Sequence, residues 1–331
     1  MKKFIINIFL FLLVSLMFAG SLEMVLRHIP NDYSYKKDYL DTHANEIETL
    51  VLGSSHAFFN IDPIYFSDNA FNVAHAAQPL NYDYAILKKY DEKLVNLKMV
   101  IIPFSYFSLW HQLAKDREAR RIKNYILYYG IKNENDPIKS HFEVLCSNFE
   151  NISRILSYFK GTNIQQTKLG WGTGYRIPNA PDLETLGKNA ALRHTKDIYS
   201  PENQKLCADN VAFLDSIIHI CQRHNAEVLL LTTPHYKTYR EHVNKEQLNA
   251  MIKTANEMAD NHPNCTYMNL MEDSTFVSTD YCDADHLCEI GAKKLSLKLA
   301  NDIKAQNLYK SGDCGSSSEN RACWKNMCGS K

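Results

Sequence analysis

The chain has 331 residues, 45 % of them hydrophobic and 22 % charged, which is enough for one large core or a core with a substantial subdomain. Lys plus Arg and Asp plus Glu each number 37, so the formal net charge is zero and no basic stripe marks a nucleic-acid surface. Nucleic acid is therefore not an expected partner.

Lys2 and Lys3 precede an apolar run, residues 4–22, that no charge interrupts. A helix of about 20 such residues spans a bilayer core, and the two lysines favour a cytoplasmic start. Residues 1–25 thus read as a signal-anchor or signal peptide, with Ala19, Gly20 and Ser21 as small residues that allow cleavage. The expected localisation is membrane-anchored and extracytoplasmic, periplasmic or at the cell surface, and secreted if the segment is removed. The partition that follows is a catalytic domain over 26–306 and a polar, Cys-containing tail over 307–331.

Beyond a polar stretch at 26–46, ETLVLG (48–53) reads as a buried strand ending at a glycine. AFNVA (70–74) is a second strand, followed by a helix over about 81–93. LKMVIIPF (97–104) is a third strand, continuously apolar as expected when both sheet faces are covered. Residues 105–205 break the rhythm and are rich in Tyr, Trp, Lys and Asn. This stretch is too long for a plain connection and reads as an insertion or lid, largely helical in its first half. Its GWGTGYR segment (170–176) reads as a loop held by aromatic packing.

The alternation then resumes with a helix at 208–225, a strand at 227–234, a helix at 245–263, a strand at 265–270 and a helix at 291–306. Strand and helix at this spacing predict a three-layer α/β/α sandwich around a mostly parallel sheet, with an aromatic-rich insertion.

Chemistry in such a sheet gathers at the carboxyl ends of strands. Gly53-Ser54-Ser55-His56 follows the first strand, where a serine can present its hydroxyl and backbone N–H groups can face an oxyanion. Asp283 and His286 stand three apart before the last helix, so one short turn can hold both on the same side. The carboxylate would take the Nδ1 proton and leave Nε2 for Ser55. Asp285 is a rival carboxylate and Asp280 a weaker one. The acidic cluster lacks the spacing of a calcium loop, so no metal is expected. Two further strand ends offer oxyanion donors, the Ala74 N–H and the Ser105 hydroxyl. His56, His75 and His235 also lie near strand ends, but none has a carboxylate at a comparably short spacing. The nine cysteines are odd in number and leave pairing unreadable. Cys282 and Cys288 bracket His286, and Cys314, Cys323 and Cys328 lie in the tail without the spacing of a zinc site.

Gly53-Ser54-Ser55 near the start of the domain and Asp283-Ala284-Asp285-His286-Leu287 near its end resemble the first and last motif blocks of the SGNH (GDSL-like) hydrolase superfamily. The resemblance covers residues 46–306. It implies a triad of Ser55, Asp283 and His286, with the Ser55 N–H as one oxyanion donor and Ala74 in place of the second block's glycine. The third block's Gly-x-Asn-Asp is missing from IIPFSYFS, and Ser54 replaces the usual Asp. These departures are similar to the membrane-anchored branch containing alginate O-acetylation proteins and the D-alanyl transfer protein of teichoic acid synthesis.

The expected activity is a serine-dependent ester hydrolase or O-acyltransferase acting on acylated cell-envelope glycans, through an acyl-enzyme on Ser55. No cofactor is expected. The expected partners are the ester substrate, the membrane and a membrane protein that hands over the acyl group. His56, Trp171 and Arg193 are candidate substrate contacts. The competing expectation is a non-catalytic, membrane-anchored binding or assembly protein with a degenerate fold of the same kind.

Overall fold

Five short apolar segments become five strands: β1 (Thr49–Val51), β2 (Ala70–Asn72), β3 (Met99–Pro103), β4 (Glu227–Thr232) and β5 (Cys265–Asn269). They form one sheet in the order β2-β1-β3-β4-β5, every pairing parallel. The structure is a computed structural model and describes residues 1–115, 117–133, 136–146, 148–162, 164–176 and 182–311. The tail cysteines Cys314, Cys323 and Cys328 lie outside the described residues.

The α-helices, in chain order, are α1 (Lys2–His28), α2 (Asp32–His43), α3 (Ser55–Phe58), α4 (Leu80–Tyr90), α5 (Ile122–Asn124), α6 (Asn148–Lys160), α7 (Leu183–His194), α8 (Pro201–Arg223), α9 (Lys237–Arg240), α10 (Lys245–Asn261) and α11 (Glu289–Ser311). Alternate strand residues point to opposite faces. Leu50, Phe71, Val100, Ile102, Val228 and Leu230 enter a core that α4, α8 and α10 cover with Ile86, Leu214 and Met251. Val51, Ile101, Leu229 and Leu231 enter a second core, covered by α3 and by Leu295 and Leu299 of α11. The result is the three-layer α/β/α arrangement expected from the pattern. Because both faces are covered, the central strands β3 and β4 read as nearly unbroken apolar runs, while the edge strand β5 exposes Thr266 and Asn269.

Two departures concern the N-terminal part. α1 continues past the apolar run to His28, and its C-terminal part, from Glu23 on, meets the protein, with Leu26 fully buried. The polar stretch at 26–46 contains α2, a helix absent from the sequence expectation. Its start is a capping box: the Asn31 side chain accepts from Tyr33 and Ser34 N–H, and the Ser34 hydroxyl accepts from Asn31 N–H. The buried face is Tyr33, Lys36 and Leu40. With Lys36 between Tyr33 and Leu40, that set is too sparse in apolar side chains for a periodicity to show.

The insertion between β3 and β4 is largely helical in its first half, as expected, but much of it is short turns. It runs as 3₁₀ turns at Ser108–Trp110, Leu113–Lys115 and Arg117–Arg121, then α5, then a π turn over Tyr125–Tyr129 closed by Gly130. Tyr125 and Tyr129 are fully buried, and the Tyr129 hydroxyl meets His75 Nε2 at 3.0 Å. Aromatic packing is therefore what most of these rings do, as the glycine-spaced 170–176 loop also shows.

Candidate active site

Chain reversal about the centre of the sheet sets the location. β1 connects outward to β2, while β3, β4 and β5 build in the other direction, so the crevice lies at the carboxyl ends of β1 and β3. Four residues after β1 ends, half-buried Ser55 opens α3. The turn between them needs Gly53, whose φ is +119°. A Cβ there would stand 3.2 Å from Ala57 Cβ and 3.3 Å from Pro103 Cδ. Gly53→Ala is therefore expected to cost about 1–3 kcal/mol from backbone strain alone. Equilibrium denaturation would register this, and an unchanged midpoint would refute it.

The Gly53 N–H donates to Asp83 Oδ1 at 2.8 Å, and Gln78 Nε2 donates to the same oxygen at 2.6 Å. Burial pushes the Asp83 carboxyl up to about 7, against the pull of those two donors. A carboxyl raised this way binds its proton more tightly when folded, so stability is lost as pH rises from the unfolded value of 3.8 to about 7. Asp83→Asn should flatten that part of the stability–pH curve. Parallel curves for the two proteins would contradict the assignment.

The second half of the site is the loop before α11. Tyr281 and Leu287 pair antiparallel, and Cys282 N–H donates to His286 O at 3.0 Å. Asp283 Oδ1 accepts from the N–H groups of Asp285 (3.0 Å) and His286 (2.8 Å), so its carboxylate shapes its own turn. Asn60 Oδ1 accepts from Leu287 N–H at 2.9 Å and ties this loop to the segment after α3. Cys282 and Cys288 are buried thiols on either side of His286, not a disulfide.

Folding brings Ser55, Asp283 and His286 together. Ser55 Oγ lies 2.8 Å from His286 Nε2, and His286 Nδ1 lies 3.0 and 3.1 Å from the two oxygens of Asp283. With Nδ1 protonated toward the carboxylate, Nε2 is left as the acceptor for the serine proton. Burial pushes the His286 imidazolium down, but the Asp285 and Asp283 carboxylates outweigh it and the pKa rises above the ordinary value.

Asp285 is the part of the site that spacing alone does not resolve. It is fully enclosed, with Oδ1 3.6 Å from His286 Nδ1. Its Oδ2 lies 3.7 Å from His56 Nε2, 3.7 Å from an Arg193 Nη and 4.0 Å from His194 Nδ1, without a hydrogen bond. Burial raises this carboxyl, yet the surrounding histidines, His286 foremost, hold it well below the usual range. His56 in turn meets Ser105 Oγ through Nδ1 at 2.7 Å. A second Asp–His–Ser series, Asp285, His56 and Ser105, thus lies buried beneath the first.

Several expected roles change. Ala74 is fully buried and its N–H is held by Asn72 Oδ1 at 3.0 Å, so it is not presented as an oxyanion donor. Ser105 faces His56 instead of the crevice and is fully buried. Among the described residues, the Ser55 N–H at the first turn of α3 is left without an acceptor, as helix starts leave it. His56, at 0 % exposure, cannot touch substrate. Trp171 is buried too, donating from Nε1 to Phe59 O at 2.7 Å. Arg193 does stay at the rim, its side chain 58 % exposed. Tyr175, one residue before the end of the described loop, is not among the expected substrate contacts, yet its half-buried ring is 5.0 Å from that of His286. Asp280 serves the fold, accepting from Lys294 Nζ and Val277 N–H.

His56, Asp285 and His286 place ligand-type atoms within 4.8 Å of one another. Both ring nitrogens of His286 are already committed, to Asp283 and to Ser55, so the geometry favours proton transfer over metal binding there.

No family model matches the sequence, and no curated protein matches it. Among solved structures, it is similar to a proposed platelet activating factor from Streptococcus pneumonia at 11 % identity and a TM-score of 0.39, over 88 % of this chain and 98 % of that one. It is also similar to a proposed acylhydrolase from Bacteroides fragilis at 9 % identity and a TM-score of 0.33, over 85 % and 94 % of the two chains.

Proposed function

We propose that this chain is a membrane-tethered, extracytoplasmic serine esterase or O-acyltransferase that acts on acylated cell-envelope glycans. The carrying observation is the 2.8 Å contact between Ser55 Oγ and His286 Nε2, made across 231 residues of chain, with Asp283 behind the ring. His286 Nε2 takes the Ser55 proton as Oγ bonds to the ester carbonyl carbon. The tetrahedral oxyanion is met by the Ser55 N–H. The ester C–O bond breaks, and the leaving oxygen takes the proton from Nε2. Water or a sugar hydroxyl then gives its proton to Nε2 and attacks the acyl carbon, and as the acyl–Oγ bond breaks Nε2 returns that proton to Ser55. The half-buried Tyr175 ring and exposed Arg193 at the rim suit a sugar face and its hydroxyls. The apolar face of α1 supports the tether, since its spanning window is 0 % buried.

The test is to incubate the full-length protein with para-nitrophenyl acetate, quench early, and search for an acetyl group on the Ser55 peptide by mass spectrometry. An adduct on Ser55 supports the acyl-enzyme; turnover with the acetyl group elsewhere, or none at all, removes it. Candidate oligosaccharides added to the same reaction separate the outcomes, because transfer yields acetylated sugar in place of free acetate.

A further inference from the structure

α6 is inside-out for a helix facing water. Two of its polar side chains point into the protein: Asn151 Nδ2 donates to Glu143 O at 2.9 Å, and Arg154 donates to the Glu143 carboxylate at 2.5 Å and the Tyr128 hydroxyl at 3.0 Å. Its apolar side chains point out: Ile152, Leu156 and Phe159 are 56 %, 54 % and 80 % exposed. The spacing of three and four residues makes them one stripe. The loop before α6 adds Ile138, Phe142 and Leu145 at 80 %, 41 % and 56 % exposure. Single exposed apolar residues need no explanation, but six on one helix and the loop leading into it do.

The position of this surface is fixed by α1. Glu23 is the first charge after the apolar run of 4–22, and its carboxylate accepts from the N–H groups of Glu143 and Val144 at 3.0 and 2.9 Å. Arg154 Nη2 donates to Leu26 O at 3.0 Å, and Arg27 Nη2 donates to His141 O at 2.9 Å. The loop carrying Phe142 and Leu145 is therefore pinned at the level where the apolar part of α1 ends.

We infer that α6 and the 138–145 loop lie in the membrane interface, with the apolar stripe in the outer boundary of the same bilayer that α1 spans. The inference rests on the membrane-tethered reading of α1. Only a lipid surface fits both the stripe and its level: the apolar face of an interfacial helix sinks about 5–10 Å into the headgroup–acyl boundary, which is where a helix docked on the exit of a spanning segment must be. Glu143, buried and held low by Lys123 and Arg154 despite its burial, binds the polar side of α6 to the domain. The catalytic domain is then seated on the bilayer at two places and cannot rotate freely about α1.

The full-length protein would be reconstituted into phosphatidylcholine–phosphatidylglycerol liposomes, with an environment-sensitive fluorescent amino acid replacing Phe159 or, as a control, Tyr199, which is 66 % exposed. Shallow doxyl-labelled lipids should quench the probe at 159 at least about twofold more than the probe at 199. Equal, weak quenching at both sites in protein that still floats with the liposomes after alkaline carbonate overturns the interfacial seat and leaves the tether standing. Release by carbonate overturns the tether and the seat with it. Energy transfer between labelled chains with no lipid quenching at 159 would give the stripe to a second copy and likewise overturn the proposal. A Leu156→Glu, Phe159→Glu variant should still float but lose protection of α6 from hydrogen exchange; unchanged protection counts against a lipid contact.

Discussion

Ser55→Ala and His286→Ala are each expected to lower kcat for para-nitrophenyl acetate by about 10⁴-fold or more, with the double variant no worse than the weaker single one. The reason is that hydroxyl and imidazole act as one unit: without the acceptor at 2.8 Å the hydroxyl stays protonated, and without the hydroxyl the imidazole has no proton to take. Initial rates of the full-length protein in detergent would measure this, beside a thermal melt to establish that each variant is folded. A tenth or more of the activity surviving in both variants would move the chemistry away from this pair. Such a result would turn attention to an envelope-binding role for the same crevice.

The two carboxylates beside His286 should fail in different ways. Asp283→Asn keeps the shape but offers an amide to Nδ1, which favours the wrong tautomer; a loss of about 10³–10⁴-fold in kcat is expected. Asp285 does not set the tautomer, because its nearest oxygen is 3.6 Å from Nδ1. Its effect is through charge. His286 acts as a base only when neutral, so kcat/KM rises as pH passes its pKa. Nearby carboxylates stabilise the imidazolium and raise that pKa over the ordinary 6.5. Asp285→Asn should therefore move the acidic limb of the pH–kcat/KM profile to lower pH, while the alkaline plateau falls by less than about tenfold. A profile that stays in place, with a loss as large as that of Asp283→Asn, would exchange the roles of the two acids.

Much of the architecture was readable because sheet burial writes itself into sequence. The central strands β3 and β4 follow nearly unbroken apolar runs, and the helices after β3 that pack on them show the expected period. The Ser55, Asp283 and His286 grouping was also readable, since a glycine turn after a strand and an acid three residues before a histidine are local signals. What stayed hidden depends on contacts across the chain. α2 buries Lys36, whose ammonium bonds to Ala74 O, and a lysine in a core face carries no apolar signature. The loss of Ala74 as a donor follows from Asn72, two residues earlier, turning its side chain back on the backbone. Ser105 is claimed by His56 from 49 residues away, which no spacing rule anticipates. α6 shows apolar periodicity, but the usual inference from periodicity points such a face inward.

The link between α1 and α2 is three residues, Ile29, Pro30 and Asn31, and Pro30 stiffens it further. From the end of the apolar run, the chain reaches the Lys36–Ala74 contact at the crevice side of β2 within about 30 Å. If α1 is the membrane tether proposed above, a link this short would give Ser55 a working height instead of a working radius. On the proposed transferase reading, polymer chains far out in the envelope would be out of range, and acceptors would have to be delivered to the lipid surface, either as nascent strands or by a carrier standing beside the anchor.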